Sequence, residues 1–337
     1  MIYLDNAATT KPSHAAKVAL ERSFSVFGNP SSLHQMGMDA DREITAAREE
    51  IARIIGAKPT EIYFTGSGTE ANNLAIFGAV KKHKDFRIST TKFEHPSIVE
   101  PLNKLKSQGF DVVHDADFSD LRVLSHVNSE NGEIRDLRKS DKHALTHVDA
   151  CQSFCKLPIN VKSLGIDLLS MSAHKIGGLK GVGALYVRDG VNLAPIIYGG
   201  GHEGGLRSGT ENVAGIMAMA AAAKDFWANL AAHHAHVITL KTSFLKVLKN
   251  AEIHGGENVS PYILSFSIAG VKSHILLNAL SAEGVYVSVG HACSTKKQHK
   301  KGVNDAMRVS FSPENTLEEI EIAKEKFEKC VKMLMRK

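Results

Sequence analysis

The 337-residue chain has no stretch approaching the roughly 18 uninterrupted apolar residues of a membrane-spanning helix. Its start, MIYLDNAATT, has none of the charged, apolar and small-residue regions of a secretory signal. A cytoplasmic location and no membrane partner are therefore expected. Cysteine is scarce. The four present (Cys151, Cys155, Cys293 and Cys330) read as free thiols rather than a disulfide framework. Cys151 and Cys155 lack the second pair that a structural zinc site takes, so no metal is expected. Charge of one sign is also limited. A net charge of +5 is mild at this length and does not mark a nucleic-acid binder.

Repeats and low-complexity tracts are absent. What is present, 43% hydrophobic and 23% charged residues, suits a globular chain able to enclose a cofactor without cross-links. Histidines are plentiful. Their densest group, His233, His234 and His236, has no ligand from a third element and is expected on the surface.

Apolar spacing organises the chain. Ile44, Ala47, Ile51, Ile54 and Ile55 share one helical stripe, predicting a helix over 41–55 that Gly56 ends. Short strand-like runs follow: EIYFTG, RIST, DVVH, RVLSHV, ALTHVD, DLLSMS and GALYVR, with helical stretches such as 96–108 between several of them. Strands alternating with helices predict βαβ units, a mostly parallel sheet and helices on both its faces. Beyond Gly204 the texture changes to an Ala-rich helix over 211–232, a second reaching about 250, then mixed strands and helices. Thr316 and Glu319 form a capping box for the last helix. The expected organisation is α/β: a large domain over 1–245 and a small α+β domain over 246–337, with about 1–15 packing on the latter.

Polar clusters fall at strand ends, where open α/β sheets bind ligands. GSGTE (66–70) opens a helix whose free N–H groups suit a phosphate, although alone it also suits a plain Gly-rich turn. Asp149 and Gln152 follow another strand, and an isolated Asp there also reads as a helix cap. SAHK (172–175) ends a third. Taken together they meet the demands of pyridoxal phosphate. Lys175 supplies the amine that condenses with the cofactor aldehyde. Asp149 keeps the ring nitrogen protonated, while Gly68, Thr69, Ser172 and His174 hold phosphate.

The chain also resembles the cysteine desulfurases, fold-type I pyridoxal phosphate enzymes of the class V aminotransferase group. The resemblance runs through YLDNAATT, GNPSSLH, GTEANN, EHPS, HVDACQ, SAHKIGGLKG, GGGHEGGLRSGTEN, GHACST and MRVSFS, nearly the whole length. It implies that His95 stacks on the ring and carries a proton near the substrate thiol, and that Gln152 contacts the ring hydroxyl oxygen. Thr210 would reach the phosphate of a partner subunit in a homodimer. Arg308, which without the family reads as a surface charge, would grip the substrate carboxylate. Ser129 stands where the family has a second asparagine and would bond near the cofactor oxygen with shorter reach.

Cys293 matches the family's sulfur-accepting cysteine. The other three cysteines read as inert buried thiols. The implied activity converts L-cysteine to L-alanine, leaves a persulfide on Cys293 and passes the sulfur to an acceptor protein. The lysines of KKQHKKG (296–302) would steer an acceptor with an acidic face. A selenocysteine lyase or aminotransferase of the same fold, or a degenerate scaffold homologue, are the competing readings.

Overall fold

A computed structural model describes residues 1–80, 85–116, 118–138, 144–290 and 306–335. The chain divides into two compact units. The larger comprises Lys11–His126 and Asp136–Ala228; the other comprises Met1–Thr10, Val127–Arg135 and Asn229–Lys337.

In chain order the elements begin with β1 (Ile2–Tyr3), α1 (His14–Ser23), α2 (Gln35–Ile55), β2 (Ile62–Thr65) and α3 (Gly68–Ala79). Next come β3 (Arg87–Thr90), α4 (Pro96–Ser107), β4 (Asp111–His114), β5 (Leu121–Ser125) and β6 (Leu145–Asp149). Then follow β7 (Leu168–Ser172), β8 (Gly183–Val187), α5 (Val213–Ala228) and α6 (Leu230–Leu245). The remainder is β9 (Ala251–His254), β10 (Ile263–Ile268), α7 (Ser273–Ala282), β11 (Val285–Tyr286), β12 (Ser288–Val289), β13 (Met307–Ser310) and α8 (Leu317–Met335).

The larger unit is built on a seven-stranded sheet of order β2-β8-β7-β6-β5-β3-β4. Strands β4, β3, β5, β6 and β7 pair in parallel, while β8 pairs antiparallel with both β7 and β2. One reversed strand therefore interrupts the predicted parallel sheet. Two antiparallel pairings restore direction, so β2 again runs parallel to β7. Gly183, the first residue of β8, stands opposite Thr65 on one side and Ser172 on the other. The carboxyl ends of β2, β3, β5, β6 and β7 thus share one edge.

The core explains this arrangement. Leu74 and Ile76 of α3, with Ile98, Leu102 and Leu105 of α4, pack on strand residues Ile88, Leu121, Val123, Leu168 and Leu185. Helix α5 is apolar almost all round, as a buried helix must be, and packs against α1 and α2. Helix α2 starts at Gln35, earlier than its apolar stripe predicts, because the His34 side chain accepts from the Gly37 N–H as its N-cap.

The second unit carries an antiparallel sheet of order β12-β13-β10-β9 and a parallel pair of β1 with β11. The Thr316–Glu319 capping box of α8 forms in both directions, each bond 3.1 Å long. The unit boundary lies at Asn229 rather than at 245. The reason is that α6 packs on α8: Ser243 Oγ donates to Glu321 at 2.6 Å, and His236 Nε2 lies 2.8 Å from the Asn315 carbonyl. His233, His234 and His236 are half-buried rather than surface residues. His234 lies against the Tyr262 ring. Among the described residues no cluster of His, Cys, Asp or Glu suits a metal, and no helix is long and apolar enough to cross a membrane.

Candidate active site

The sheet edge positions the first group of side chains. Asp149 ends β6 and is buried, yet both its oxygens are engaged. Oδ1 accepts from the Cys151 N–H and Oδ2 from Asn72 Nδ2, each at 2.8 Å. The other hydrogen of that amide reaches Ser97 Oγ, also at 2.8 Å. Ser97 Oγ in turn lies 2.7 Å from His95 Nδ1. His95 is the N-cap of α4, and its Nδ1 accepts from the Ser97 N–H at 3.1 Å. A continuous polar chain therefore links Asp149 to His95. Glu94, buried beside His95, fixes this loop by accepting from the Ser125 N–H and from the hydroxyls of Ser125 and Thr91.

Beside Asp149, the N-terminus of α3 presses on the same edge. Ser67 caps it by accepting from the Glu70 N–H at 3.0 Å. The backbone of Gly68 approaches so closely that a Cβ there would lie 2.4 Å from Cys151 Sγ and 3.3 Å from Ser172 Cβ. Any side chain there would have to displace the Cys151 thiol. Gly68 and Thr69 occupy the first turn, whose N–H groups have no intrahelical acceptor. Ser172 ends β7, buried, and Lys175 follows in a 3-10 turn over Ala173–Lys175. Gly183 closes the set: a Cβ on it would sit 2.7 Å from the Met171 carbonyl oxygen and from the Ser67 carbonyl carbon.

Positive charge concentrates here. Burial, reinforced by the charge of Lys175, pushes the Lys156 amine down to about 7. Burial, with the charges of Lys175, Lys180 and Lys156 added, pushes His174 down to about 4, so it is neutral at pH 7. Burial raises the thiols of Cys151 and Cys155 well above their ordinary value and also raises Cys330. These three are free and poorly ionised, as expected of inert cysteines.

The larger unit thus gathers Gly68, Thr69, His95, Asp149, Gln152, Ser172, His174 and Lys175 around one sheet edge. Thr210 is in the same unit but exposed, lining a groove with Thr65, Gly66 and Arg207. In the second unit Arg308 lies on β13 and is 2% exposed, which overturns the surface reading. Its Nη2 donates to Asp5 at 2.9 Å and its Nη1 to the Ser129 carbonyl at 2.8 Å. Its buried Nε has no protein partner. Ser129 therefore meets Arg308 through its backbone. Cys293 and the lysine run after it lie outside the described residues. Sequence reasoning missed Asn72, Ser97 and Glu94. Each stood inside a quoted motif, GTEANN or EHPS, but only the fold shows what it touches.

The chain is similar to known proteins over nearly its whole length. A profile described as Aminotransferase class-V matches residues 2–120 and 116–322. The cysteine desulfurase IscS of Dictyoglomus turgidum is 38% identical, over 91% of this chain and 86% of its own length. The putative cysteine desulfurase IscS 1 of Bacillus subtilis is 35% identical over 99% of both. Among solved structures, a NifS-like protein superposes with a TM-score of 0.91 at 32% identity, covering 98% of this chain and 99% of its own. With a lysine, a pinned carboxylate and a helix N-terminus on one sheet edge, and relatives alike over nearly the full length, the chain belongs to the class-V aminotransferase family and within it to the cysteine desulfurases.

Proposed function

We propose that the chain takes sulfur from L-cysteine, releasing L-alanine, and holds it as a persulfide on Cys293 for delivery to an acceptor protein. The family uses pyridoxal phosphate, and the residues present fit it. The observation that carries this reading is Asp149, a buried carboxylate braced by Asn72 and Cys151 on the edge that also bears Lys175 and the N-terminus of α3. A carboxylate so braced suits a pyridinium nitrogen as its charge-assisted hydrogen-bond partner. The free N–H groups of Gly68 and Thr69, with Ser172 and His174, suit the phosphate.

Lys175 would anchor the cofactor covalently, His95 would cover the ring face and Gln152 would meet the ring hydroxyl. When bound, pyridoxal phosphate supplies the electron sink for the pair leaving the C–S bond. Arg308 would bind the substrate carboxylate. Its orphaned Nε is a donor left over after Asp5 and Ser129 are served. The Cys293 thiolate attacks the substrate sulfur, forming an S–S bond as the C–S bond breaks, and the carbon gains a proton. Cysteine and a thiol thus become alanine and a persulfide, with no outside oxidant. Thr210, exposed in its groove, would serve the phosphate of a second copy in a homodimer. A protein with an acidic face would accept the sulfur from Cys293, beside its lysines.

The test uses 35S-cysteine. The wild type should be yellow, form alanine and carry label on the protein, while Lys175→Ala should be colourless and inactive. Cys293→Ser should keep the colour but lose the protein-bound label and sulfide release. Normal sulfide release by Cys293→Ser would refute the persulfide and indicate an eliminating lyase.

A further inference from the structure

The imidazole of His95 has a protonation state that its neighbours decide. The Ser97 backbone N–H donates to Nδ1 at 3.1 Å, and a backbone donor cannot be reversed. Ser97 Oγ stands 2.7 Å from the same nitrogen, and the direction of its hydrogen follows from Asn72. Asn72 Nδ2 lies 2.8 Å from Asp149 Oδ2. Turning the amide over would set its oxygen against a carboxylate oxygen, so the nitrogen must face Asp149. The second hydrogen of that nitrogen goes to Ser97 Oγ at 2.8 Å. Ser97 Oγ thus accepts from Asn72 and turns its own hydrogen toward His95. Two donors converge on Nδ1. No proton fits there, and the ring proton is left to Nε2.

Two further observations hold this arrangement. The far end of the chain is pinned, because the other oxygen of Asp149 accepts from the Cys151 N–H at 2.8 Å. His95 also caps the N-terminus of α4, a 12-residue helix whose positive end disfavours an imidazolium. Asn72 and Ser97 are both buried, so water does not compete for these bonds.

We propose that Asn72 and Ser97 are positioning residues that hold His95 as the neutral Nε2–H tautomer, so that His95 donates a hydrogen bond to substrate sulfur and does not remove its proton. The proposal rests on the functional reading given above. It replaces the proton carrier implied by family resemblance with a fixed hydrogen-bond donor to the substrate sulfur, which keeps its own proton as it becomes the outer sulfur of the persulfide. It also gives Asp149 a second duty: the carboxylate that would serve the cofactor's ring nitrogen orients, through two side chains, the imidazole that would cover the ring face.

The experiment is a long-range 1H–15N correlation of the histidine rings at pH 7, on enzyme labelled with 15N-histidine, with pyridoxal phosphate and after its removal. A His95→Asn spectrum identifies the His95 signals among the others. The expected result is an unprotonated Nδ1 and a protonated Nε2 in both forms. Ser97→Ala should expose the ring to mixed protonation and lower kcat by about fivefold to tenfold, the loss of one buried hydrogen bond, with KM nearly unchanged. Ser97→Thr, which keeps the hydroxyl, should restore both. A proton on Nδ1, or an imidazolium, in the wild type would overturn the proposal. Ser97→Ala with wild-type spectrum and kcat would also overturn it. The spectrum needs no turnover: an enzyme lacking desulfurase activity would refute the proposed function and leave the tautomer standing, whereas an active enzyme with Nδ1 protonated refutes only the tautomer.

Discussion

Arg48 and Glu203 form a pair whose removal should be costly. Arg48 on α2 donates through Nη1 and Nη2 to the two Glu203 oxygens, both at 2.8 Å, and also to the Ile62 carbonyl. The Glu203 carboxylate accepts a third bond from the Phe64 N–H at 2.8 Å. The guanidinium lies 5.0 Å from the Phe64 ring centre. The Glu203 side chain is 2% exposed and that of Arg48 is 21% exposed, so solvent cannot replace the guanidinium at the carboxylate. Arg48→Met would strand a buried charge on one N–H. Breaking a buried pair costs about 3–5 kcal/mol, and the partial exposure of Arg48 argues for about 3. Glu203→Gln should cost less, because a neutral amide keeps some of the bonds. The double variant should be more stable than the two single losses predict, with a coupling of about 2 kcal/mol. The assay is urea unfolding followed by fluorescence of the lone tryptophan, Trp227, which lies in the same unit as the pair. A cost for Arg48→Met under about 1 kcal/mol, the size of an exposed ion pair, would refute the reasoning. So would strict additivity.

Two other outcomes are expected. Burial holds His147, 2.9 Å from Ser170 Oγ, at about 4, below the roughly 6.5 of an unfolded histidine. The unfolded chain therefore binds the proton first, and stability should fall as pH drops from about 6.5 to about 4, then level off. His147→Gln should remove a share of that slope on the order of 3 kcal/mol and leave the shares of His126 and His174; an unchanged slope by urea unfolding at several pH values would refute it. Finally, mixing inactive Lys175→Ala and Thr210→Val subunits should recover activity if each site draws Thr210 from the second copy. Verified mixed dimers with no activity would count against shared sites.

The α/β architecture was legible because its signals are local. Alternating apolar runs with glycine punctuation placed β3 and β4 within the predicted residues and most other strands to within one or two. The antiparallel setting of β8 was not legible, since GALYV reads the same in either direction and only the turn from Lys175 to Gly183 decides it. Helix α5 was predicted to run on to 232 because alanine continues past Ala228. The chain breaks instead at Asn229, where α6 turns to pack on α8. Lys175 and Asp149 stand out in the sequence because each sits at a strand end in a distinctive motif. Arg308 was misread without the family because one charged letter does not reveal its burial. Asn72 and Ser97 escaped for a related reason: Asn72 meets partners 25 and 77 residues away, and no spacing rule spans that distance.

Gly183 stands opposite both Thr65 and Ser172, at the foot of the helix that offers its N–H groups and of the turn that carries Lys175. A single strand thereby acts as a ruler. Two strand spacings, about 10 Å in all, separate Thr65, where β2 ends, from Ser172, where β7 ends. Slipping β8 by one residue would turn every one of its side chains to the other face, so the span cannot be tuned by small steps. The loops beyond the sheet edge are under no such constraint. The spacing of the strand ends that lead into α3 and into the Lys175 turn is fixed with the β8 register.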